Sequence, residues 1–282
     1  MSFRLLLPLF EELYERYNRR YFVSTDPLFF LYNYKDKQNR EIAGFLTSAL
    51  AYGRVAQIKK SVACVLGEMK PDPCRFLMSG SEKTFSEIFH SFKHRFTTGQ
   101  EMASVLTGLK RVIEKHGSIE ACFISAFTAH KKDIFPSLSS FVKEIQVKEQ
   151  GTYNSLLPFP SRGSACKRLN LFLRWMIRKD EVDPGGWAGI APSALIVPLD
   201  THMYKTAAIL GMTKRRQPDM KTAIEITEAL KILAPEDPVK YDFALTRLGI
   251  CNDADPLSFI NRCRAVTSGI HTYGRNFRYE NR

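Results

Sequence analysis

Gly163-Ser164-Ala165-Cys166-Lys167 and Val197-Pro198-Leu199-Asp200-Thr201-His202 are the two stretches whose reading decides the fold. The first sets small residues just ahead of a lysine that opens a helix over roughly 165–179. With Ser164 as its cap, Lys167 and Arg168 fall in the first turn, the positive end of the helix dipole, where each cation costs about 0.3–1 kcal/mol. The same placement favours the neutral, nucleophilic amine of Lys167, since a positive dipole and a neighbouring guanidinium both oppose its charge. The minimal side chains of Gly163, Ser164 and Ala165 would let backbone N–H groups approach a phosphate at the helix N-terminus.

The second stretch delivers one carboxylate to the start of another helix. Asp200 followed by Met203, Tyr204, Ala207 and Leu210 has the pattern of a plain N-cap, a role that contributes about 1 kcal/mol. A solvated Lys167 and a capping Asp200 therefore stand beside the chemical reading of the pair. His202 reads as a first-turn polar residue. No second histidine or carboxylate stands at ligand spacing near it, so neither a metal nor another cofactor is expected.

Bulk properties point to the partner. The chain has 282 residues with 44% hydrophobic content, enough for a substantial core. Its 41 basic against 29 acidic residues leave a net charge of +12 and a pI near 9.4, which suits a polyanion. No apolar run of about 18 residues is present, so no membrane span is expected. The opening Met1-Ser2-Phe3-Arg4-Leu5-Leu6-Leu7-Pro8-Leu9-Phe10 breaks into Glu11-Glu12 without a small-residue cleavage site, and reads as an amphipathic first helix of a cytoplasmic protein. Cys64, Cys74, Cys122, Cys166, Cys251 and Cys263 form no Cys-x-x-Cys pair, and read as free, buried thiols in a reducing compartment.

Helical periodicity runs nearly throughout, and no strand is convincing. Ile42, Phe45, Leu46, Ala49 and Leu50 share one helix face. Met102 to Ile113 form another that stops at His116-Gly117, and Phe135 to Ile145 a third. Asp26-Pro27, Asp219 and Asp237-Pro238 read as helix starts, with Leu248-Gly249 closing the helix that Pro238 opens. Two irregular stretches, about 148–163 and 180–198, bracket the helix that carries Lys167.

These segments together resemble the helix-hairpin-helix DNA glycosylase superfamily. Gly163-Ser164-Ala165-Cys166-Lys167 looks like a degenerate form of its Gly-x-Gly-x-Lys hairpin, and Val197-Pro198-Leu199-Asp200-Thr201-His202 is similar to its Val-Asp-Thr-His segment. Phe45-Leu46-Thr47-Ser48-Ala49-Leu50-Ala51-Tyr52 resembles its early Leu-Ser-x-x-Ala helix, and Tyr241 to Gly249 its late helix ending in Leu-Gly. The nearest match is an uncharacterised bacterial branch, so activity is implied by the superfamily. Ala165 stands where the second hairpin glycine belongs. The interval from Lys167 to Asp200 is similar to that of the archaeal 8-oxoguanine branch. Only Cys251 and Cys263 occupy the region where some members carry a four-cysteine cluster, too few for an iron–sulfur centre.

The resemblance implies an all-α, two-lobed fold, one lobe about 40–180 and the other 1–39 plus 181–282. It implies a monomeric glycosylase with lyase activity that flips a damaged, oxidised base out of double-stranded DNA. Lys167 would be the Schiff-base nucleophile and Asp200 the carboxylate that stabilises positive charge on the sugar. Contacts to DNA would fall to Gly163, Ser164, Ala165, Arg168 and Tyr52, with Tyr52, Phe172, Trp175 and Trp187 as candidates to stack on the base. Lys59-Lys60, Arg174, Arg178-Lys179 and Lys214-Arg215-Arg216 are spread as a duplex footprint would be. In the tail, Arg264, Arg275 and Arg278 interleave with Tyr273, Phe277 and Tyr279. The rival readings are a non-catalytic protein that binds DNA or structured RNA with the same fold, and an RNA-directed enzyme using the same pair.

Overall fold

The computed structural model describes residues 3–146, 154–160, 163–251 and 254–267. It is mostly helical: fourteen α-helices stand among the described residues, with one two-stranded hairpin. Local signals explain most helix starts. Asp36, Asp72, Ser81, Thr98, Ser118, Asp133, Asp200 and Asp219 each accept a backbone N–H inside the first turn of the helix that follows, satisfying a donor that the helix itself leaves orphaned. Thr98 and Glu101 complete a reciprocal capping box on α7 (Gly99–His116). That helix ends where the sequence predicts, at Gly117 in the left-handed region with φ 85°.

Two expected starts differ. Asp26-Pro27 opens a 3₁₀ segment, Pro27–Asn33, rather than an α-helix. Asp237-Pro238 lies in a turn, and the helix expected from Pro238, α13, is Asp242–Leu248. The Asp237 carboxylate is taken by Arg178, whose Nε donates to both its oxygens at 3.0 and 2.8 Å. The stretch 180–198 is free of α-helix, as expected, and holds a short 3₁₀ turn, Pro192–Ala194.

One continuous apolar core runs from Leu6 to Cys263. At its centre α3 (Lys37–Ala49) packs on α10 (Lys167–Ile177), with Phe45 edge-on to Phe172 at 5.4 Å. Gly108 of α7 faces α9 (Ile134–Ile145), where an added Cβ would sit 1.8 Å from the Ile145 carbonyl oxygen, so only glycine permits this approach. The first helix, α1 (Leu7–Tyr17), packs on α13, and α14 (Pro256–Thr267) covers the 3₁₀ turn ahead of α1. Phe10 meets Tyr241 and Phe259 edge-on, with centroids 5.2 and 5.6 Å apart. No helix among the described residues is long and apolar enough to cross a membrane.

Candidate functional site

A cleft of about 230 Å³ opens where the end of α3, the start of α10, the start of α11 (Thr201–Ile209) and α13 converge. Lys167 and Asp200 both line it, and the Lys167 Nζ lies 3.9 Å from Asp200 Oδ2. The side chains are 36% and 21% exposed, so both reach the mouth of the cleft rather than its floor. Asp200 holds the two roles that the sequence leaves open. Its Oδ1 accepts the Met203 N–H at 2.8 Å as the N-cap of α11, and this fixes the carboxylate so that Oδ2 faces the amine.

The turn before Lys167 differs from the expected one. Cys166, with φ 48° and ψ 37°, occupies the cap position of α10, and no side chain caps this helix. Ser164 instead accepts the Cys166 N–H on its Oγ at 3.2 Å. The Gly163 N–H donates to the Pro160 carbonyl at 3.0 Å and its own carbonyl accepts from Met220 N at 3.3 Å, so the turn is pinned to the start of α12 (Met220–Lys231) through a bridge between Ser164 and Asp219. Gly163 is needed for its φ of 79° and not for a close approach, since a Cβ there would meet nothing within 4 Å. The amides of Gly163 and Cys166 are thus spent inside the turn. Ala165 packs half-buried against the core. Burial pushes the Cys166 thiol up to about 11, with the Ser164 hydrogen bond opposing, so this cysteine is no nucleophile.

Arg168 and Tyr52 form one assembly. The Arg168 guanidinium donates to the carbonyls of Ala49 at 2.6 Å and Ser155 at 2.7 Å, and its carbon lies 4.9 Å from the Tyr52 ring centroid. It therefore ties α10 to the end of α3 instead of reaching outward to a phosphate. Tyr52 lines the cleft, and its hydroxyl donates to the His94 carbonyl at 2.9 Å. Phe172 and Trp187 lie in the core; Trp175, also buried, forms part of the cleft wall, and its indole N–H has no hydrogen-bond partner.

The sequence misses a buried charge cluster beneath the pair. Arg174 and Arg178, expected in a duplex footprint, are each only 3% exposed. Arg174 donates to Asp183 at 3.2 and 3.0 Å and to Asp242, while Arg178 engages Asp180, Asp183 and Asp237. Two guanidinium groups therefore face four carboxylates, an excess of negative charge under the cleft. Asp242 lines the cleft, and burial pushes its carboxyl up to about 6; Arg174 pulls it down and the Asp200 charge adds to the rise. Arg247, also on the wall, pairs with Asp26 at 2.5 Å. The one sequence signal for this cluster is the close run Arg174, Arg178, Asp180, Asp183, which pairs opposite charges within a helix and the turn after it.

Other predicted residues scatter. His202 is exposed at the cleft edge, next to Gly249. Lys59 donates to the Ser24 carbonyl at 2.9 Å, and Arg215 pairs with Asp219 at 2.6 Å. Cys122, Cys166 and Cys263 are buried free thiols as expected, but Cys64 is exposed, and Cys74 and Cys251 are partly so. Tyr273, Arg275, Phe277, Arg278 and Tyr279 lie outside the described residues. Among the described residues no cluster of three or more histidine, cysteine or acidic side chains could hold a metal ion.

The residues lining the cleft run from Asp26 to Ile250, and one family model covers that same span, matching residues 26–251. The chain belongs to the family described as "Protein of unknown function (DUF2400)". No curated protein and no solved structure matches it. In this DUF2400 chain the matched region contains the whole cleft, while α1 and α14 lie outside it.

Proposed function

We propose that this protein is a DNA glycosylase with lyase activity, built on a two-lobed helix-hairpin-helix fold, that removes a damaged, oxidised base from duplex DNA. The observation that carries the reading is the Lys167 amine 3.9 Å from the Asp200 carboxylate at the mouth of one cleft. A target base inside a duplex is out of reach, so the nucleotide swings out into the cleft. As the glycosidic bond breaks, its electron pair leaves with the base and positive charge builds on the sugar. Asp200 and the negative excess of the cluster beneath it oppose that charge at fixed positions. The Lys167 ammonium gives one proton to the departing base and the freed amine bonds to C1′; the ring oxygen then takes a second proton from the nitrogen as the sugar opens to an iminium, from which strand cleavage proceeds by elimination. Capping holds Asp200 in place without reorganisation, because one oxygen serves the helix while the other serves the chemistry.

The test is covalent trapping on a panel of lesion-bearing duplexes. Borohydride reduces the iminium to a stable amine, so wild-type protein becomes cross-linked to its cognate lesion and Lys167→Gln does not. Salt-dependent binding without any adduct or excision across the panel would refute the enzyme and leave a nucleic-acid-binding protein.

A further inference from the structure

Phe96 stacks on Tyr52 of the cleft wall from outside the cleft lining and turns its other face to solvent. Tyr52 is engaged twice: Phe96 stacks on it with centroids 5.0 Å apart and planes 25° from parallel, and the Arg168 guanidinium lies 4.9 Å from its centroid. Phe96 itself is 58% exposed, so one face of its ring is held by Tyr52 and the other is open to a ligand. It stands at the turn of the hairpin formed by β1 (Lys93–His94) and β2 (Thr97–Thr98), after Arg95, whose φ is 55°.

This turn is stiff. His94 is buried, with Nδ1 2.8 Å from Ser61 Oγ and Nε2 3.0 Å from the Tyr52 carbonyl oxygen. The Tyr52 hydroxyl reaches back to the His94 carbonyl and to Thr97, and Thr97 bonds Ser155. Lys93 and Arg95 on the hairpin are exposed, as is Arg54. The Arg95 side chain passes so close to Gly53 that a Cβ there would meet its Cδ at 2.9 Å. An aromatic face held rigid among exposed cations suits a ligand that presents a π-face and phosphates together.

We propose that the outer face of Phe96 is a stacking surface for a nucleobase that has lost its neighbour in a duplex, with Lys93, Arg95 and Arg54 on the adjoining phosphates. This rests on the nucleic-acid reading above for the partner's chemistry, but not on any excision step. Stacking on an aromatic side chain is worth about 5- to 100-fold in affinity per base.

The probes are two fluorescein-labelled 25-base-pair duplexes, one intact and one with a single tetrahydrofuran in place of a nucleotide, which carries no reactive aldehyde. Binding is followed by anisotropy. Phe96→Ala should weaken binding to the tetrahydrofuran duplex by about 5- to 100-fold and leave intact-duplex affinity within about twofold. Phe96→Trp should keep the affinity, and its emission should be quenched by the tetrahydrofuran duplex, a change assignable to position 96 because Trp175 and Trp187 are both buried. If Phe96→Ala binds both probes as wild type does, or loses equally on both, or if Phe96→Trp emission stays unchanged at saturation, the proposal falls alone. If wild type binds neither probe, the nucleic-acid reading falls and takes this proposal with it.

Discussion

Replacing Asp200 by asparagine should separate the two tasks of its carboxylate, one structural and one chemical. Asparagine keeps an oxygen for the Met203 N–H, which Asp200 accepts at 2.8 Å, so the cap on α11 survives. What disappears is the charge 3.9 Å from Lys167. An ion pair whose partners are 36% and 21% exposed contributes about 0–1 kcal/mol, and for a chain this size that moves the melting temperature by only about 2–4 °C. Asp200→Ala loses the cap as well and should cost about 1 kcal/mol more. Excision should respond on a different scale, because a preorganised group facing developing charge is worth about 100- to 1000-fold in rate. Both variants should also lower the proton affinity of Asp242, whose carboxyl the Asp200 charge helps to raise. Single-turnover excision on one cognate duplex, thermal melting, and carboxylate titration by NMR check the three parts. Unchanged excision in Asp200→Asn would refute the chemical role, and equal destabilisation by Asn and Ala would refute the capping argument.

Two further outcomes concern stability. Glu41 is 1% exposed, and burial pushes its carboxyl from 4.5 up to about 7 against the pull of the Glu120 N–H and Lys37. The folded state thus holds this proton more tightly than the unfolded chain, so the stability it contributes is full below about pH 4.5 and is lost as the pH rises through about 7, a change of about 3 kcal/mol. Glu41→Gln should flatten that part of a urea-denaturation profile measured from pH 4 to 8, and an unaltered profile would place the dependence elsewhere. Gly108→Ala should cost about 3 kcal/mol or more, because the new methyl meets the Ile145 carbonyl oxygen at 1.8 Å and backbone cannot step aside cheaply. A melting temperature equal to that of wild type would mean that α7 and α9 do not approach so closely in solution.

What could be read from the sequence was local. Asp219 and Gly117 act within three or four residues of themselves, so a cap or a stop shows in the letters. Asp237-Pro238 carries the same letters as a helix start, yet its carboxylate belongs to Arg178, a residue 59 positions earlier, and no window of sequence contains that partner. Arg174 and Arg178 count as surface charge in any composition, and only the packing of α10 against the turn at 180–183 and α13 makes them interior. The Lys167 and Asp200 segments stand out by their local pattern, whereas the 3.9 Å between them is a tertiary fact. Phe96 left no trace, since strands of two residues are too short to show alternation and one exposed ring has no periodicity.

The seating of α1 on α13 and α14 has a consequence for how the chain is made. Phe10, Leu13 and Tyr17 are buried in the finished protein, but Tyr241 and Phe259, which meet Phe10, are synthesised about 230–250 residues later. At roughly 5–20 residues per second the ribosome needs about ten to fifty seconds to deliver them. During that interval the first helix has its greasy side uncovered and Glu11 lacks both Lys240 and Tyr241. The contacts that bury this helix can therefore form only after nearly all of the chain up to Phe259 has been made.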